Sequence, residues 1–220
     1  MNYLGVVTGM RSEANSLRFI KVPHLTLCAG GNPGRARSCA EQLIERGANR
    51  LLSFGIAGGL DPSLRTGTII LADAIVDQVG NEFLTNSEWR GELIKNLADS
   101  CSIIEGKIMT AERPATSSSE KHKLSQLTGA VAIDMESAGV AYVARKNDVP
   151  FLAIRAIADD SSQAIPQCAL GGLTEDGSTR PMSVFIRLAL RPWDLASLLR
   201  LAKDANYAIR SLSRVAATGF

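Results

Sequence analysis

The sequence predicts a single α/β domain in which a mixed central sheet is flanked by helices. Seven short runs of β-branched and apolar residues alternate with segments of helical periodicity. This alternation is typical of a mixed or largely parallel sheet covered by helices. The 220 residues, 45% of them hydrophobic, suffice for one sizeable core, and no repeat or linker divides them. We therefore expect residues 1–220 to form one domain.

The predicted strands occupy the first three quarters of the chain. They cover residues 4–8, 25–29, 51–54, 68–76, 103–109, 131–134 and 151–158. Apolar residues at helical spacing predict helices over 35–46, which ends at Gly47, and over 136–146, which ends before Pro150. Residues 161–192 are rich in glycine and proline and predict loops. The final predicted helix has an apolar stripe of Leu195, Leu198, Leu199, Ala202, Ala205, Ile209 and Leu212.

The charge balance excludes one class of partner. A net charge of +2, from 24 basic and 22 acidic residues, is too small for a typical nucleic-acid-binding protein. Residues 180–215 are an exception, because they hold seven basic and two acidic residues. Such a basic face is either solvated or suited to peripheral contact with an anionic membrane.

The cysteines and histidines do not form a metal-binding pattern. The four cysteines are widely separated, no cleavable signal precedes them, and reduced thiols in the cytoplasm are expected. His24 and His122, the only histidines, lie far apart in the sequence, so no metal site is predicted. No apolar run reaches the roughly 18 residues of a membrane-spanning helix.

Two glycine-rich segments follow predicted strands. The first, Gly55-Ile56-Ala57-Gly58-Gly59, is followed by another β-like run rather than by the helix that a dinucleotide fingerprint requires. It predicts a strand–loop–strand unit, in which the glycines either admit a small ligand or form a tight turn. The second, residues 30–34, precedes a helix, so Gly34 and Arg35 are candidates for phosphate binding or for a simple turn.

Three carboxylates stand where predicted strands give way to loops or helices. They are Glu13, Glu136 and Asp159. Ligand sites of α/β sheets gather at strand ends, although each carboxylate alone also fits a helix start or a surface charge.

The local sequences around these carboxylates carry a resemblance. GMRSEA at 9–14, SFGIAGGL at 53–60, DMESA at 134–138 and RAIAD at 155–159 occur in the order and approximate spacing of the nucleoside phosphorylase and nucleosidase family. The chain resembles this family from residue 1 to about residue 161. Within it, the chain is most similar to the hopanoid-associated phosphorylases, which are also described as adenosylhopane nucleosidases.

The resemblance implies an enzyme that cleaves the N-glycosidic bond of an adenine nucleoside. Asp159 matches the family's general acid, which protonates N7 of the base and needs a pKa raised by burial or by the neighbouring Asp160. Glu136 matches the acceptor for the ribose hydroxyls, Met135 packs against the sugar, and Glu13 positions the attacking water. The resemblance also makes Gly55, Ile56, Ala57, Gly58 and Thr110 substrate-binding residues.

The nucleophile is either water or phosphate. Phosphorylases of the family hold phosphate partly with an arginine at the position of Ser53, so the serine favours hydrolysis. Because Arg35 at the Gly30–Gly34 turn could bind phosphate, phosphate stays an alternative co-substrate. No other cofactor is implied.

The resemblance implies that the long segment after Asp159 receives the 5′ substituent of the substrate. Its apolar residues are either a lid for a large apolar group, as in adenosylhopane, or a second layer of core. The resemblance also implies a homodimer. Alternatives are a methylthioadenosine/adenosylhomocysteine nucleosidase, a salvage purine nucleoside phosphorylase, and a nucleoside-binding module without catalysis.

Overall fold

The computed structural model describes residues 3–97, 101–166, 177–178, 192–218 and 220. Eight strands are formed: β1 Leu4–Thr8, β2 His24–Cys28, β3 Arg50–Gly59, β4 Ile69–Val76, β5 Glu82–Leu84, β6 Ile103–Thr110, β7 Ala132–Asp134 and β8 Phe151–Asp159. The α-helices are α1 Arg11–Ser16, α2 Pro33–Glu45, α3 Ser87–Leu97, α4 Ser118–Thr128, α5 Ser137–Lys146 and α6 Leu195–Thr218.

The strands form one mixed sheet around β3. β1 pairs in parallel with β2 and β3, and β3 pairs in parallel with β8. β8 then pairs antiparallel with β4, which pairs with β5 and β6. The sheet curls back on itself, because β7 pairs with β6 and also with the last residues of β3. This curl brings the carboxyl ends of β3, β7 and β8 close together.

Helices cover the sheet on two sides. On one side, α2 and α5 bury residues such as Leu43 and Val143. On the other side, α3 and the C-terminal half of α6 bury residues such as Leu93 and Leu212. The mixed sheet flanked by helices is the predicted fold class.

The predicted strands are confirmed, and their ends shift by a few residues at most, except at β3. Here residues 55–59 were expected to form a loop, and that prediction is wrong because β3 continues through Gly59. The glycines stay extended because they pair with β8 along one edge and with β7 at Gly58 and Gly59. Strand β5, which has only three residues, was not predicted.

The predicted helices over 35–46 and 136–146 are also confirmed. Asn32 caps α2 by accepting a hydrogen bond from the Arg35 backbone, Pro33 begins the helix, and Gly47 follows it at φ +93°. Because these end signals are local in the sequence, the ends of α2 were predicted to within two residues.

The apolar stripe predicted for α6 is buried only towards the helix C-terminus. Leu212 is fully buried, whereas Leu195 and Leu199 are 47% and 62% exposed. Most of the loop-rich region predicted for residues 161–192 lies outside the described residues. Within the described ranges, no helix is both long and apolar enough to cross a bilayer.

Candidate active site

The candidate site is a cavity of about 190 Å³ at the carboxyl ends of β3, β7 and β8. It is lined by seven of the predicted site residues: Glu13, Ile56, Ala57, Gly58, Met135, Glu136 and Asp159. A larger depression of about 520 Å³ between β5 and α5 holds none of the predicted site residues. The structure therefore brings all three predicted carboxylates to one small cavity.

Glu13 reaches the cavity from the first turn of α1, directly after β1. Its Oε2 accepts hydrogen bonds from the backbone of Gly9 and Met10, both at 2.8 Å. Its Oε1 accepts one from Ile56 of β3 at 2.8 Å. Burial nevertheless raises the pKa of Glu13, because desolvation outweighs these hydrogen bonds and the nearby Arg155. The carboxyl group is fixed in place and poised to accept a proton.

Glu136 stands immediately before α5 and is 7% exposed. Burial raises its pKa to about 8, and the neighbouring Asp134 and Glu13 add to the rise, while Arg155 opposes it. The Arg155 Nη2 atom lies 3.6 Å from Glu136 Oε2. At neutral pH Glu136 is therefore largely protonated and is able to donate as well as accept a hydrogen bond.

Arg155 forms a buried network beneath these carboxylates. Its Nε and Nη2 atoms donate to Asp134 Oδ2 at 2.8 and 2.6 Å, and Nη2 also donates to Ser53 Oγ at 2.7 Å. Ser137 Oγ joins the same group, at 3.0 Å from Nη2 and 3.1 Å from Ser53 Oγ. Arg155 and Asp134 are both nearly inaccessible to solvent, so each charge depends on the other for compensation.

Asp159 enters the cavity from the end of β8. Burial raises the pKa of its carboxyl group, and Asp160 and Asp204 add to the rise. The ammonium group of Lys121 contacts Asp159 Oδ2 and acts in the opposite direction, but burial dominates. The raised pKa that the acid role requires is thus present, with burial as its main cause.

Three glycines leave room for the carboxylates. A Cβ at Gly9 would overlap Glu136 Oε1, and one at Gly55 would lie 2.7 Å from Glu13 Oε1. At Gly58 it would lie 3.3 Å from Asp159 Oδ2. Glycine is therefore required at Gly9 and Gly55 for close approach of side chains to the backbone, whereas Gly58 is only tightly packed. Close approach explains Gly55 of β3 better than a turn does.

Four predicted binding residues do not line the cavity. Gly55 packs against the Glu13 carboxyl group. Thr110 is buried; its hydroxyl group donates a hydrogen bond to Asp134 Oδ1 at 2.7 Å and accepts one from the Ala138 backbone at 3.0 Å. Arg35 donates through Nε and Nη2 to the backbone carbonyls of Ala29 and Gly30. Gly34 lies beside Asn32 at the start of α2. Phosphate binding at Gly34 and Arg35 stays a prediction, one that this geometry does not favour.

Sequence reasoning missed the cationic side chains of the site. Arg155 lies four residues before Asp159 in a recognised motif, so its position was visible although its role was not assigned. Lys121 had no such signal, because it lies in a polar helix and is followed by the exposed residues His122 and Lys123. Among the described side chains, no group of three or more histidines, cysteines, aspartates or glutamates is arranged to hold a metal ion.

Comparison with known proteins identifies the family. The family model described as the phosphorylase superfamily matches residues 19–167, well over half of the chain. The chain belongs to the phosphorylase superfamily. The resemblance to nucleoside phosphorylases and nucleosidases is thereby confirmed, and its hopanoid-associated branch stays a prediction.

Among curated proteins, 5′-methylthioadenosine/S-adenosylhomocysteine nucleosidases are similar to this chain. The protein from Treponema pallidum is 25% identical over 221 residues, which cover 82% of this chain and 81% of the relative. The one from Mycobacterium tuberculosis is 26% identical over 178 residues, with 62% of this chain and 70% of the relative covered.

Solved structures share the fold. The 5′-methylthioadenosine/S-adenosylhomocysteine nucleosidase of Neisseria meningitidis, in complex with methylthio-immucillin-A, superposes with a TM-score of 0.74 at 15% identity, covering 99% of this chain and 97% of its own. Futalosine hydrolase of Helicobacter pylori gives a TM-score of 0.70 at 17% identity, with 97% of each chain covered. The expectation of an enzyme that cleaves N-glycosidic bonds is confirmed at the level of the family.

Proposed function

We propose that the protein hydrolyses the N-glycosidic bond of an adenine nucleoside. The observation that carries the proposal is the placement of Asp159 and Glu13 in one small cavity, each with a raised pKa. An acid that protonates the base and a base that activates water are the two groups that this hydrolysis needs. The nucleosidases to which the chain is similar support the same reaction.

In the proposed reaction, Asp159 transfers its proton to N7 of adenine as the bond between C1′ and N9 lengthens. The bonding electrons leave with the base, and the ribose acquires oxocarbenium character. Glu13 accepts a proton from water as the water oxygen bonds to C1′. Neutral adenine and the free sugar are the products. Glu136 and Met135 hold the ribose beside these groups.

The charge of the site favours water over phosphate as the nucleophile. Arg155, the buried cation next to Glu136, already donates hydrogen bonds to the Asp134 carboxylate and to Ser53. Its charge is therefore compensated within the protein and offers little attraction to a phosphate anion, whereas water is neutral and needs no counter-charge. A strict requirement for phosphate in turnover would overturn this part of the proposal.

For the natural substrate we propose adenosylhopane, whose 5′ group is large and apolar. The cavity of about 190 Å³ is small, so such a group would extend beyond the described walls. The residues that flank segment 167–176 lie at its rim: Ile165 lines the cavity, and Gly177 accepts a hydrogen bond from the Arg11 backbone at 3.0 Å. The sequence of that segment contains the apolar residues Leu170 and Leu173, a composition that suits an apolar 5′ group.

Methylthioadenosine is the second candidate substrate. It is favoured by the similarity to methylthioadenosine/adenosylhomocysteine nucleosidases and by the small volume of the cavity, which suits a compact 5′ substituent. Both candidates share the adenine and ribose, so the same catalytic groups serve either one.

Adenine release measured by chromatography separates these possibilities. The protein is incubated with adenosylhopane, methylthioadenosine and inosine, each with and without phosphate. We expect phosphate-independent release of adenine and poor cleavage of inosine. Preference for adenosylhopane would support the lipid substrate, and preference for methylthioadenosine would support the second candidate. Cleavage of neither adenine nucleoside would overturn the proposed function and favour a binding module.

The 5′ pocket can be tested separately. Replacement of residues 167–176 by a short glycine–serine loop should spare methylthioadenosine cleavage while abolishing cleavage of adenosylhopane. Equal loss of both activities would contradict a role in tail binding.

A lipid substrate agrees with a membrane-facing role for α6. Trp193, Leu195 and Leu199, near the start of this helix, are all exposed, Trp193 at 72%, and the exposed basic residues Arg200 and Lys203 follow in the sequence. We propose that this end rests on an anionic leaflet, each basic residue adding about 1 kcal/mol. Absence of co-sedimentation with anionic liposomes at low salt would remove this role. The homodimer is likewise a proposal, for which light scattering of the purified protein gives a direct test.

A further inference from the structure

Lys121 is an isolated buried cation outside the predicted set of site residues. It lies in the first turn of α4, where the following residues His122 and Lys123 are exposed, yet Lys121 itself is fully buried. A buried ammonium group is costly unless all its donors are paired. Lys121 therefore needs specific acceptors, and the structure supplies them.

All three acceptors of Lys121 belong to the chain that ends β8 and follows it. Nζ contacts Asp159 Oδ2, and it donates to the backbone carbonyls of Asp160 at 2.6 Å and Gln163 at 3.0 Å. A second attachment lies nearby, because the Ile165 backbone donates to the Thr116 carbonyl at 3.1 Å. Together these bonds tie the segment after β8 to the start of α4.

This arrangement fixes the general acid as well as the rim of the cavity. Only Oδ2 of Asp159 contacts Lys121, so the hydrogen bond limits rotation of the carboxyl group without using both oxygens. Ile165, at the other attachment, lines the same cavity. Lys121 and the neighbouring Ile165–Thr116 hydrogen bond thus hold both Asp159 and the cavity wall beside it.

We propose that Lys121 is a positioning residue for catalysis: its ammonium group orients the Asp159 carboxyl group and stabilises the carboxylate that remains after the proton has passed to adenine. This role rests on the proposed function, because it assigns Asp159 as the acid. Lys121 does not contact the reacting atoms; it acts through Asp159.

The charges around Asp159 predict the direction of a pH effect. Asp160 and Asp204 raise its pKa, and Lys121 is the cation that lowers it against the larger effect of burial. Removal of Lys121 should therefore raise the pKa of Asp159 further. Since the acid works in its protonated form, the fall of kcat/KM at high pH should then move to higher pH.

The first test is independent of turnover. The side-chain carboxyl carbon of Asp159 is titrated by NMR in the wild type, Lys121→Met and Lys121→Gln, with the exposed Lys123→Met as the matched control. We expect the midpoint to rise by at least one pH unit in either Lys121 variant and to stay unchanged in Lys123→Met. The glutamine variant retains a donor for the backbone carbonyls and serves if the methionine variant does not fold. Unchanged midpoints in a folded Lys121 variant would overturn the proposal.

The second test uses the adenine nucleoside that the wild type cleaves best. Both Lys121 variants should lower kcat at least tenfold and shift the alkaline fall of kcat/KM upward, while Lys123→Met behaves as the wild type. Wild-type kinetics in the Lys121 variants would overturn the positioning role while leaving the proposed hydrolysis intact. If the wild type itself releases no adenine, the proposed function fails, and the NMR titration still decides whether Lys121 controls Asp159.

Discussion

Glu13 lies directly against Gly55: a Cβ built on Gly55 would stand 2.7 Å from Glu13 Oε1 and 2.9 Å from Oε2. The same carboxylate is held by the backbone of Ile56, the next residue of β3. Position 55 therefore determines where the proposed water-activating group lies, although Gly55 itself does not line the cavity.

Gly55→Ala should lower adenine release by about 100-fold, because a displacement of order 1 Å in a catalytic group has effects of that size. The methyl group would push Glu13 away from the Ile56 backbone. Steady-state kinetics on purified protein measures the loss. Gly91→Ala is the control, since a Cβ there meets nothing within 4 Å. Full activity in Gly55→Ala would show that the position of Glu13 does not limit the reaction.

Asp159→Asn should reduce kcat by about 10²–10⁴-fold, the usual contribution of a general acid. Asparagine keeps the size of the side chain but has no acidic proton at neutral pH. Binding of a non-cleavable adenine nucleoside, measured by calorimetry, should change much less. Asp73→Asn makes the same chemical change at an exposed position of β4 and should have wild-type kinetics. An unchanged kcat in Asp159→Asn would refute the acid role.

Glu136→Gln should stabilise the protein as pH rises. Between the ordinary pKa of 4.5 and the folded value of about 8, the native state keeps a proton that the unfolded chain has lost. The free energy of unfolding therefore falls as pH rises through this window, and glutamine removes the effect.

Thermal unfolding from pH 5 to pH 9 checks this prediction. The stability gained by Glu136→Gln should be greater at pH 9 than at pH 5 by at least about 1 kcal/mol, or about 2–4 °C in Tm. The exposed Glu112→Gln should show no such trend. The same advantage at every pH would contradict a raised pKa for Glu136. Catalysis should fall in Glu136→Gln, because the amide places an N–H group where the carboxyl group offers an oxygen to the ribose hydroxyls.

The sequence located the strands and the predicted carboxylates because their signals are local. β-branched runs mark the strands, and Asn32, Pro33 and Gly47 mark the ends of α2. Asp159 ends β8, Glu136 follows β7 by two residues and Glu13 follows β1 by five. A sheet topology that places these strand ends together therefore also brings the three carboxylates together.

Contacts between distant segments could not be predicted in this way. The Lys121–Asp159 contact joins residues 38 positions apart, and no periodicity distinguishes Lys121 from the exposed His122 and Lys123 that follow it. Gly58 was assigned to a loop because local glycine content suggests a turn, whereas its extended form depends on pairing with Ile133 of β7. Tertiary pairing overrides the local preference at such positions.

The buried ion pair beneath the site is expected to behave as a unit. Arg155→Met should destabilise the fold by about 3–5 kcal/mol, because it leaves the buried Asp134 carboxylate without its cation. Asp134→Asn combined with Arg155→Met should cost less than the sum of the two single changes, since the double variant carries neither buried charge. Arg65→Met, at an exposed position, should have little effect.

Urea unfolding of the wild type, both single variants and the double variant gives the coupling energy. We expect a coupling of about 1–3 kcal/mol for partners in direct contact. Strict additivity would mean that Asp134 and Arg155 do not compensate each other. In that case the hydrogen bonds of Ser53 and Ser137 alone would stabilise the buried Arg155 side chain.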